Sequence, residues 1–422
     1  MLTTFIALAV TALLIEVARR LAPAIGLIDS PDERKAHEGE IPLVGGIAIF
    51  AGLVLVLASR GMLAEHSAFF VSAGLLVVIG MWDDVFGVSP HPRVIIQGLA
   101  VLIMAAAGGV YIDDVGTLIP AVGTLSLGWL AIPFTVFAGV GLINAFNMSD
   151  GVDGLCGTLT LIALVGLGIA AGLAGRESEL LLILALSGGV IGFLAYNVRL
   201  PRRPQAKVFL GDAGSYLLGL AVLYLAVRLS QGPESAIEPV TALWFCAVPL
   251  LDTIGMILRR LRRGRSPFSP DREHIHHVFL LADFSVTTTW LGLAAVSSAA
   301  MLFGLVGVIA GIPDSIMFAS FLVIGVLYYG MIVRVWKVLR FFSRSINRRK
   351  MAKHDRRSGI DRCQRDVPLH VVGIAEDRRS GLDRRQRNLD RRNGSAEDLS
   401  NIVSLPKDRK EHRPKEQAAR VS

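Results

Sequence analysis

About eleven runs of roughly 20 apolar residues divide this chain, centred near Leu8, Ile49, Leu76, Met104, Thr135, Val165, Leu184, Leu220, Phe245, Ala299 and Ile324. A helix rising about 1.5 Å per residue crosses a hydrocarbon core of about 30 Å in such a run. In lipid every backbone polar group must be satisfied within the spanning structure, so helices and closed barrels are the available solutions. A barrel would alternate apolar and polar residues over short segments, whereas Leu180 to Leu186 and Gly304 to Gly311 are continuously apolar. The hydrophobic share of 52% in 422 residues and the mean hydropathy of +0.54 point the same way. The expected fold is an all-α polytopic membrane protein of about eleven transmembrane helices.

Basic residues orient it. One alternate set of loops carries Arg34, Lys35, Arg93, Arg199, Arg202, Arg203, Lys207 and the cluster from Arg259 to Arg272, while the other carries Arg60, Arg176 and Arg228. The positive-inside rule makes the first set cytoplasmic, which puts the N-terminus outside and the chain after Arg334 inside. Glu16 makes the first span the weakest, with a cleaved signal peptide as the competing reading. Met1-Leu2-Thr3-Thr4 lacks the positive charge that a signal peptide places before its apolar core, and Arg19-Arg20 follows the run instead, which favours a retained anchor.

Composition changes near Ser343. From there to Ser422 apolar residues are sparse, and His354-Asp-Arg-Arg-Ser-Gly-Ile-Asp-Arg362 recurs as Glu376-Asp-Arg-Arg-Ser-Gly-Leu-Asp-Arg384. Such a segment buries too little surface to offset its ordering entropy, so a mostly disordered cytoplasmic tail is expected over 343–422. Its Asp-Arg-Arg units could meet anionic lipid or an acidic partner, though acidic neighbours partly cancel the charge. The formal net charge of +8 comes largely from this tail and the basic loops, and does not imply a nucleic-acid partner. Cys156, Cys246 and Cys363 have neither disulfide nor metal-ligand spacing.

Four polar motifs interrupt the apolar sequence, all on the basic side of the span count. Asp83-Asp84 closes the third span, where adjacent carboxylates are costly to bury without a cation or hydrogen-bond donors. Asp113-Asp114 repeats the dipeptide on the outer side with no other motif nearby, and is assigned no function. Asn147-Met-Ser-Asp150-Gly151-Val-Asp153-Gly154 joins the fifth and sixth spans; its glycines let backbone approach a ligand, and it does not match an EF-hand loop. Phe209-Leu-Gly-Asp212 opens the eighth span, where the helix dipole favours anions. A site there needs a second ligand, and Asn147 is the natural one, because magnesium takes carboxylate and carbonyl oxygens together with phosphate.

The fourth motif, Asp271-Arg272-Glu273-His274-Ile275-His276-His277, follows a run of arginines that includes Arg265. Zinc is disfavoured by the lack of a nearby cysteine or a helical His-x-x-x-His, whereas arginines and histidines beside a membrane suit phosphate oxygens. No P-loop is present. Carboxylates, an amide, histidines and arginines at one bilayer face are the parts that hold a metal and a diphosphate, which points to an enzyme acting on a lipid. A transporter or lipid flippase is the alternative, but transporters place ionisable groups near the midplane rather than at span ends.

Together these motifs resemble the polyprenyl-phosphate N-acetylhexosamine-1-phosphate transferases of glycosyltransferase family 4. Ser266-Pro-Phe-Ser-Pro-Asp-Arg-Glu-His-Ile-His-His277 is similar to the branch that starts O-antigen, common-antigen and teichoic-acid linkage-unit synthesis, and differs from the peptidoglycan branch with its three adjacent histidines. Arg34-Lys35-Ala36-His37 and Ile41-Pro-Leu-Val-Gly-Gly46 resemble the family's first cytoplasmic loop. The resemblance covers about residues 1–340, as a multi-pass phosphoglycosyl transferase domain, and excludes the tail. It implies transfer of N-acetylhexosamine 1-phosphate, most often GlcNAc-1-phosphate, from a UDP-sugar to polyprenyl phosphate, with Mg2+ as cofactor and Mn2+ as a substitute. It further implies that Asn147 and Asp212 hold the metal, that Asp83 and Asp84 lie by the lipid phosphate, and that Asp150 and Asp153 lie by the nucleotide or sugar. Phe209 would stack on uracil, Arg265, Arg272, His274, His276 and His277 would meet phosphates and sugar, and Lys35 and His37 would line the nucleotide side. The implied setting is a bacterial inner membrane with the site on its cytoplasmic face; a homo-oligomer is left open.

Overall fold

The computed structural model describes residues 1–29, 39–199, 202–266 and 274–358, the last stretch by its backbone alone from 337 onward. Lys35, His37 and Arg272, and the tail beyond Ser358, lie outside the described residues. The helices are α1 (Leu2–Leu21), α2 (Gly45–Ala58), α3 (Ser67–Phe86), α4 (Pro90–Leu102), α5 (Ala131–Ser149), α6 (Leu155–Leu173), α7 (Glu177–Asn197), α8 (Gly211–Ser230), α9 (Pro239–Phe245), α10 (Ala247–Arg262), α11 (Ile275–Leu281), α12 (Val286–Ala310) and α13 (Asp314–Ser358). One short antiparallel pair, β1 (Ile28–Asp29) with β2 (Ile41–Pro42), brackets the first loop.

This is an all-α polytopic membrane protein, and every expected apolar run is helical, but two are not simple spans. Among the described residues nine helices are long and apolar enough to cross a bilayer, or ten if α9 and α10 count as one bent span. The run near Ile49 yields only the 14-residue α2, because Ile41–Pro42 is drawn into β2 and the Phe209 backbone N–H donates to the Pro42 carbonyl at 2.9 Å. The run near Phe245 bends by 86° at Cys246. Pro249 explains the bend, since it has no N–H for the carbonyl four residues back and its ring crowds that carbonyl. At the other end, α13 stays helical to Ser358, past the composition break at Ser343 where the tail was expected to begin.

α8 is the axis of the bundle. Of its most apolar stretch 94% is buried, against α2, α3, α5 and α6. Close backbone approach makes this possible: a Cβ on Gly80 of α3 would lie 2.3 Å from the Ala213 Cα, and one on Gly46 of α2 would lie 2.2 Å from the Gly214 Cα. The helix is about 30 Å long at 1.5 Å per residue, so its two ends report the two faces of the bundle. At its start Arg93 lies 3.7 Å from Asp212. At its far end Gln231 accepts from the Asp113 and Asp114 backbone N–H groups at 2.8 and 3.1 Å, and Arg228 and Arg176 clamp the buried Glu179 at 2.5 and 2.7 Å. The two Asp-Asp pairs therefore occupy opposite ends, as do these members of the two basic sets.

Substitution at the glycine contacts tests this packing. Gly80→Val places side-chain atoms against backbone that cannot yield, and overpacking of this kind costs about 1–3 kcal/mol or more. The variant is expected to lose several degrees of thermal midpoint in detergent, followed by size exclusion after heating. Gly141→Ala in α5, where nothing lies within 4 Å of the added methyl group, is expected to match the parent or exceed it slightly.

Candidate active site

The site forms where α8 begins. Residues 207–211 dock along the first loop, with the Gly45 and Gly46 backbone N–H groups donating to the Phe209 and Leu210 carbonyls, both at 3.0 Å. That contact aims the N-terminus of α8 at the end of α3. Gly211 adopts φ of +74°, and a Cβ there would meet the Asp84 Oδ2 at 2.5 Å, so only glycine fits. Asp84 then accepts from the Asp212 N–H at 2.9 Å and lies 3.5 Å from the Ala213 N, a cap supplied from another helix. Capping from α3 places a carboxylate on the positive end of the α8 dipole.

Asp83 faces a different set of partners. Its Oδ1 accepts from the Val88 N–H at 2.7 Å, and its Oδ2 accepts from Arg93 at 2.8 Å and the Tyr216 hydroxyl at 3.0 Å. Buried and triply bonded, it anchors Arg93 and ties α3 to α8. Next to them the Asn147 amide nitrogen donates to the Asp212 Oδ1 at 2.6 Å and to the Ser215 Oγ at 2.9 Å. The amide oxygen is thus the atom of Asn147 left for a cation. Asp150 follows one helical turn later, at the end of α5. Burial holds its carboxyl well above the usual carboxylate range, and the charges of Asp212, Asp84 and Asp153 add to the effect. Asp84, Asp150 and Asp212 accordingly form one electrostatically coupled group of carboxyls. Asp153 is paired instead with Arg199 at 2.6 Å.

The histidine segment reaches the same place. A Cβ on Gly151 would lie 2.3 Å from the His276 Nε2, so that ring rests on the Asp150 turn. His276 is 2% exposed, and its Nε2 has no hydrogen-bond partner among the described residues. Burial pushes its pKa down to about 3, helped by His277 and His274, and the ring is neutral at neutral pH. His274 stacks parallel to it with centroids 5.6 Å apart, and His277 tilts against it at 4.2 Å. Arg265 is exposed just beyond α10, and Phe209 is half-buried. Among the described residues no three His, Cys, Asp or Glu side chains converge as a metal cage.

Two organising residues escaped the sequence reading. Asn197, 4% exposed at the end of α7, accepts from the Gly154 N–H at 2.6 Å and donates to the Val208 carbonyl at 2.9 Å, which joins the Asp150 turn to the segment that carries Phe209 and Asp212. Asp252, 6% exposed in α10, accepts from the His274 Nδ1 at 2.9 Å and the Ile275 N–H at 3.0 Å. A carboxylate in the apolar run Pro249 to Ile254 was the signal for the second, because an ionisable group there needs a reason. Asn197 had none stronger than a lone amide at a span end.

A bundle of spanning helices thus gathers carboxylates, an amide and histidines at one end, as a membrane-embedded site. The sequence profile described as Glycosyl transferase family 4 matches residues 66–230. The undecaprenyl-phosphate alpha-N-acetylglucosaminyl 1-phosphate transferase of Yersinia pestis is 40% identical over 349 residues, which is 80% of this chain and 94% of that protein. Proteins of the same name from Escherichia coli (strain K12) and Haemophilus influenzae are 38% and 36% identical, over 79% and 84% of this chain and 91% and 99% of theirs. The chain belongs to glycosyl transferase family 4, and the resemblance read from its motifs is confirmed at that level.

Asp84→Asn removes the charge that caps α8 and is expected to lower turnover about tenfold or more, the loss of about 1–2 kcal/mol of transition-state stabilisation. Asp113→Asn, at the far end of α8, should leave turnover within about twofold of the parent, a change of under about 0.5 kcal/mol. Asp150 gives a second prediction. A raised folded pKa contributes stability below the unfolded value of about 4 and loses it as pH rises through the folded value. In EDTA the parent should therefore lose more thermal stability between pH 5 and 8 than Asp150→Asn, whose amide stays neutral, as read by thermal scanning.

Proposed function

We propose that this chain transfers N-acetylglucosamine 1-phosphate from UDP-GlcNAc to undecaprenyl phosphate and releases UMP. The observation that carries this reading is the convergence of Asp84, Asp150, Asp212 and Asn147 at the start of α8, with the His276 Nε2, unpartnered among the described residues, resting on the Asp150 turn. Clustered carboxylate and amide oxygens fit a hard divalent cation, because burial, and after it the neighbouring carboxylates, disfavour the charged form of Asp150, and a cation offsets both. Magnesium takes few protein ligands and several phosphate oxygens. Asp212 and the Asn147 oxygen would hold it, with manganese as a substitute, and it would neutralise charge on the diphosphate.

An oxygen of the lipid phosphate attacks the sugar-linked phosphorus, the diphosphate P–O bond breaks, and the bridging oxygen leaves with UMP. Phosphoryl transfer of this kind depends on in-line placement and charge stabilisation more than on covalent help. A phosphate monoester has a second pKa of about 6, so the attacking group is largely a dianion already and needs no general base. With both oxygens of Asp83 engaged, its role is to hold Arg93 beside Asp212, and no covalent aspartyl intermediate is required. His276, neutral and desolvated, offers a hydrogen bond to the sugar or diphosphate; His274, His277, Arg265 and Arg272 complete the anion-binding side, with Phe209, Lys35 and His37 toward the nucleotide. Basic residues at the α8 start favour a cytoplasmic site by the positive-inside rule, and the lipid product would begin an envelope polysaccharide.

Purified full-length protein given UDP-GlcNAc and undecaprenyl phosphate should release UMP with magnesium, regain activity with manganese, and fall to background in EDTA. Asp212→Asn should lose most turnover. A transporter would release no UMP under any of these conditions. Truncation after Arg349 should leave the rate unchanged, because every motif of the site lies before that residue.

A further inference from the structure

Asp252 is a carboxylate in an apolar setting that no step of the transfer uses. Taking such a charge out of water costs several kcal/mol, and a well-packed apolar residue would serve packing alone as well or better. All its visible bonds converge on one job. The Oδ2 accepts from the His274 Nδ1, while the Oδ1 accepts from the Ile275 N–H at the start of α11 and from the Tyr328 hydroxyl of α13 at 2.6 Å. Two of these three donors are the first residues of the histidine segment.

The consequences run toward the site. A carboxylate on Nδ1 fixes that nitrogen as the N–H and with it the orientation of the His274 ring. The His274 ring then stacks within 3° of parallel on His276, whose Nε2 meets Gly151. Tyr328 itself packs over Gly255, where a Cβ would lie 3.2 Å from its ring, so the last span supports the same carboxylate.

We propose that Asp252 is a positioning residue for the transfer: buttressed by Tyr328, it fixes the ring of His274 and through it seats His276 against the Asp150 turn. This assignment rests on the transferase reading of the site. It acts through His274 and touches no substrate.

The experiment uses full-length protein in detergent. Asp252→Ala should lower kcat about tenfold or more with KM for undecaprenyl phosphate within about twofold, because the lipid side of the site is untouched. Asp252→Asn, which keeps the Oδ1 acceptor, should retain more activity than Asp252→Ala. The double variant Asp252→Ala/His274→Ala should be no slower than His274→Ala alone, as expected of residues that act as one unit. Modification by diethyl pyrocarbonate, mapped by tandem mass spectrometry, supplies a readout that needs no activity: His276 should be protected in the parent and modified severalfold faster in Asp252→Ala, with Tyr328→Phe in between. A folded Asp252→Ala enzyme with parental kcat, or losses that multiply in the double variant, would overturn the assignment. If Asp252→Ala does not fold, parental protection of His276 in Tyr328→Phe overturns it instead. Absence of transfer by the parent would sink the transferase reading, while the modification pattern would still decide the role of Asp252.

Discussion

The cap that Asp84 places on α8 is the contact on which the rest depends. Asp84 belongs to α3, and its oxygens reach the first N–H groups of α8 only because Gly211 has a positive φ and no side chain, and because Gly80 and Gly46 let three helices approach to backbone contact. An ordinary N-cap is local, a side chain within one residue of the helix it serves. Here the cap binds two spans together at the membrane face, and it leaves the Asp212 side chain free to turn toward Asn147 on α5. Helix packing and site geometry are thereby the same set of contacts.

Such a site is stabilised for its ligands more than for the empty protein. Asp84, Asp150 and Asp212 repel one another in a desolvated space, Arg93 offsets part of that charge from the side of Asp83, and the His276 Nε2 faces the Asp150 turn with no partner among the described residues. Buried groups of this sort persist where function selects them, because each costs stability that an apolar or paired residue would restore. A cation and a diphosphate bring the missing opposite charge and the missing hydrogen bonds at once. Their binding should also tighten the fold, by linkage to the state that holds them.

Much of this was legible in the residues. Runs of apolar side chains are a direct statement about solvent, so the helices and the grouping of Asp83-Asp84, Asn147 to Gly154 and Asp212 at one end could be read from spacing and charge alone. Tertiary packing was not legible: that Asp83 and Asp84, adjacent in sequence, face separate partners follows from α3 presenting one to Arg93 and Tyr216 and the other to α8. The bend at Cys246 turned on Pro249 inside a run that composition alone makes continuous. Asp252 and Asn197 were missed because their work lies in contacts with distant segments, His274 and Tyr328 for one, Gly154 and Val208 for the other.

In the transfer proposed for this site the sugar-linked phosphorus moves to the lipid. UDP-GlcNAc labelled with 32P at that phosphorus, incubated with the purified protein, magnesium and undecaprenyl phosphate, follows the atom itself. Label should enter the organic-extractable lipid in step with unlabelled UMP in the aqueous phase. Label that stays aqueous while the lipid gains sugar, or no label transfer by folded protein with both substrates present, would contradict it.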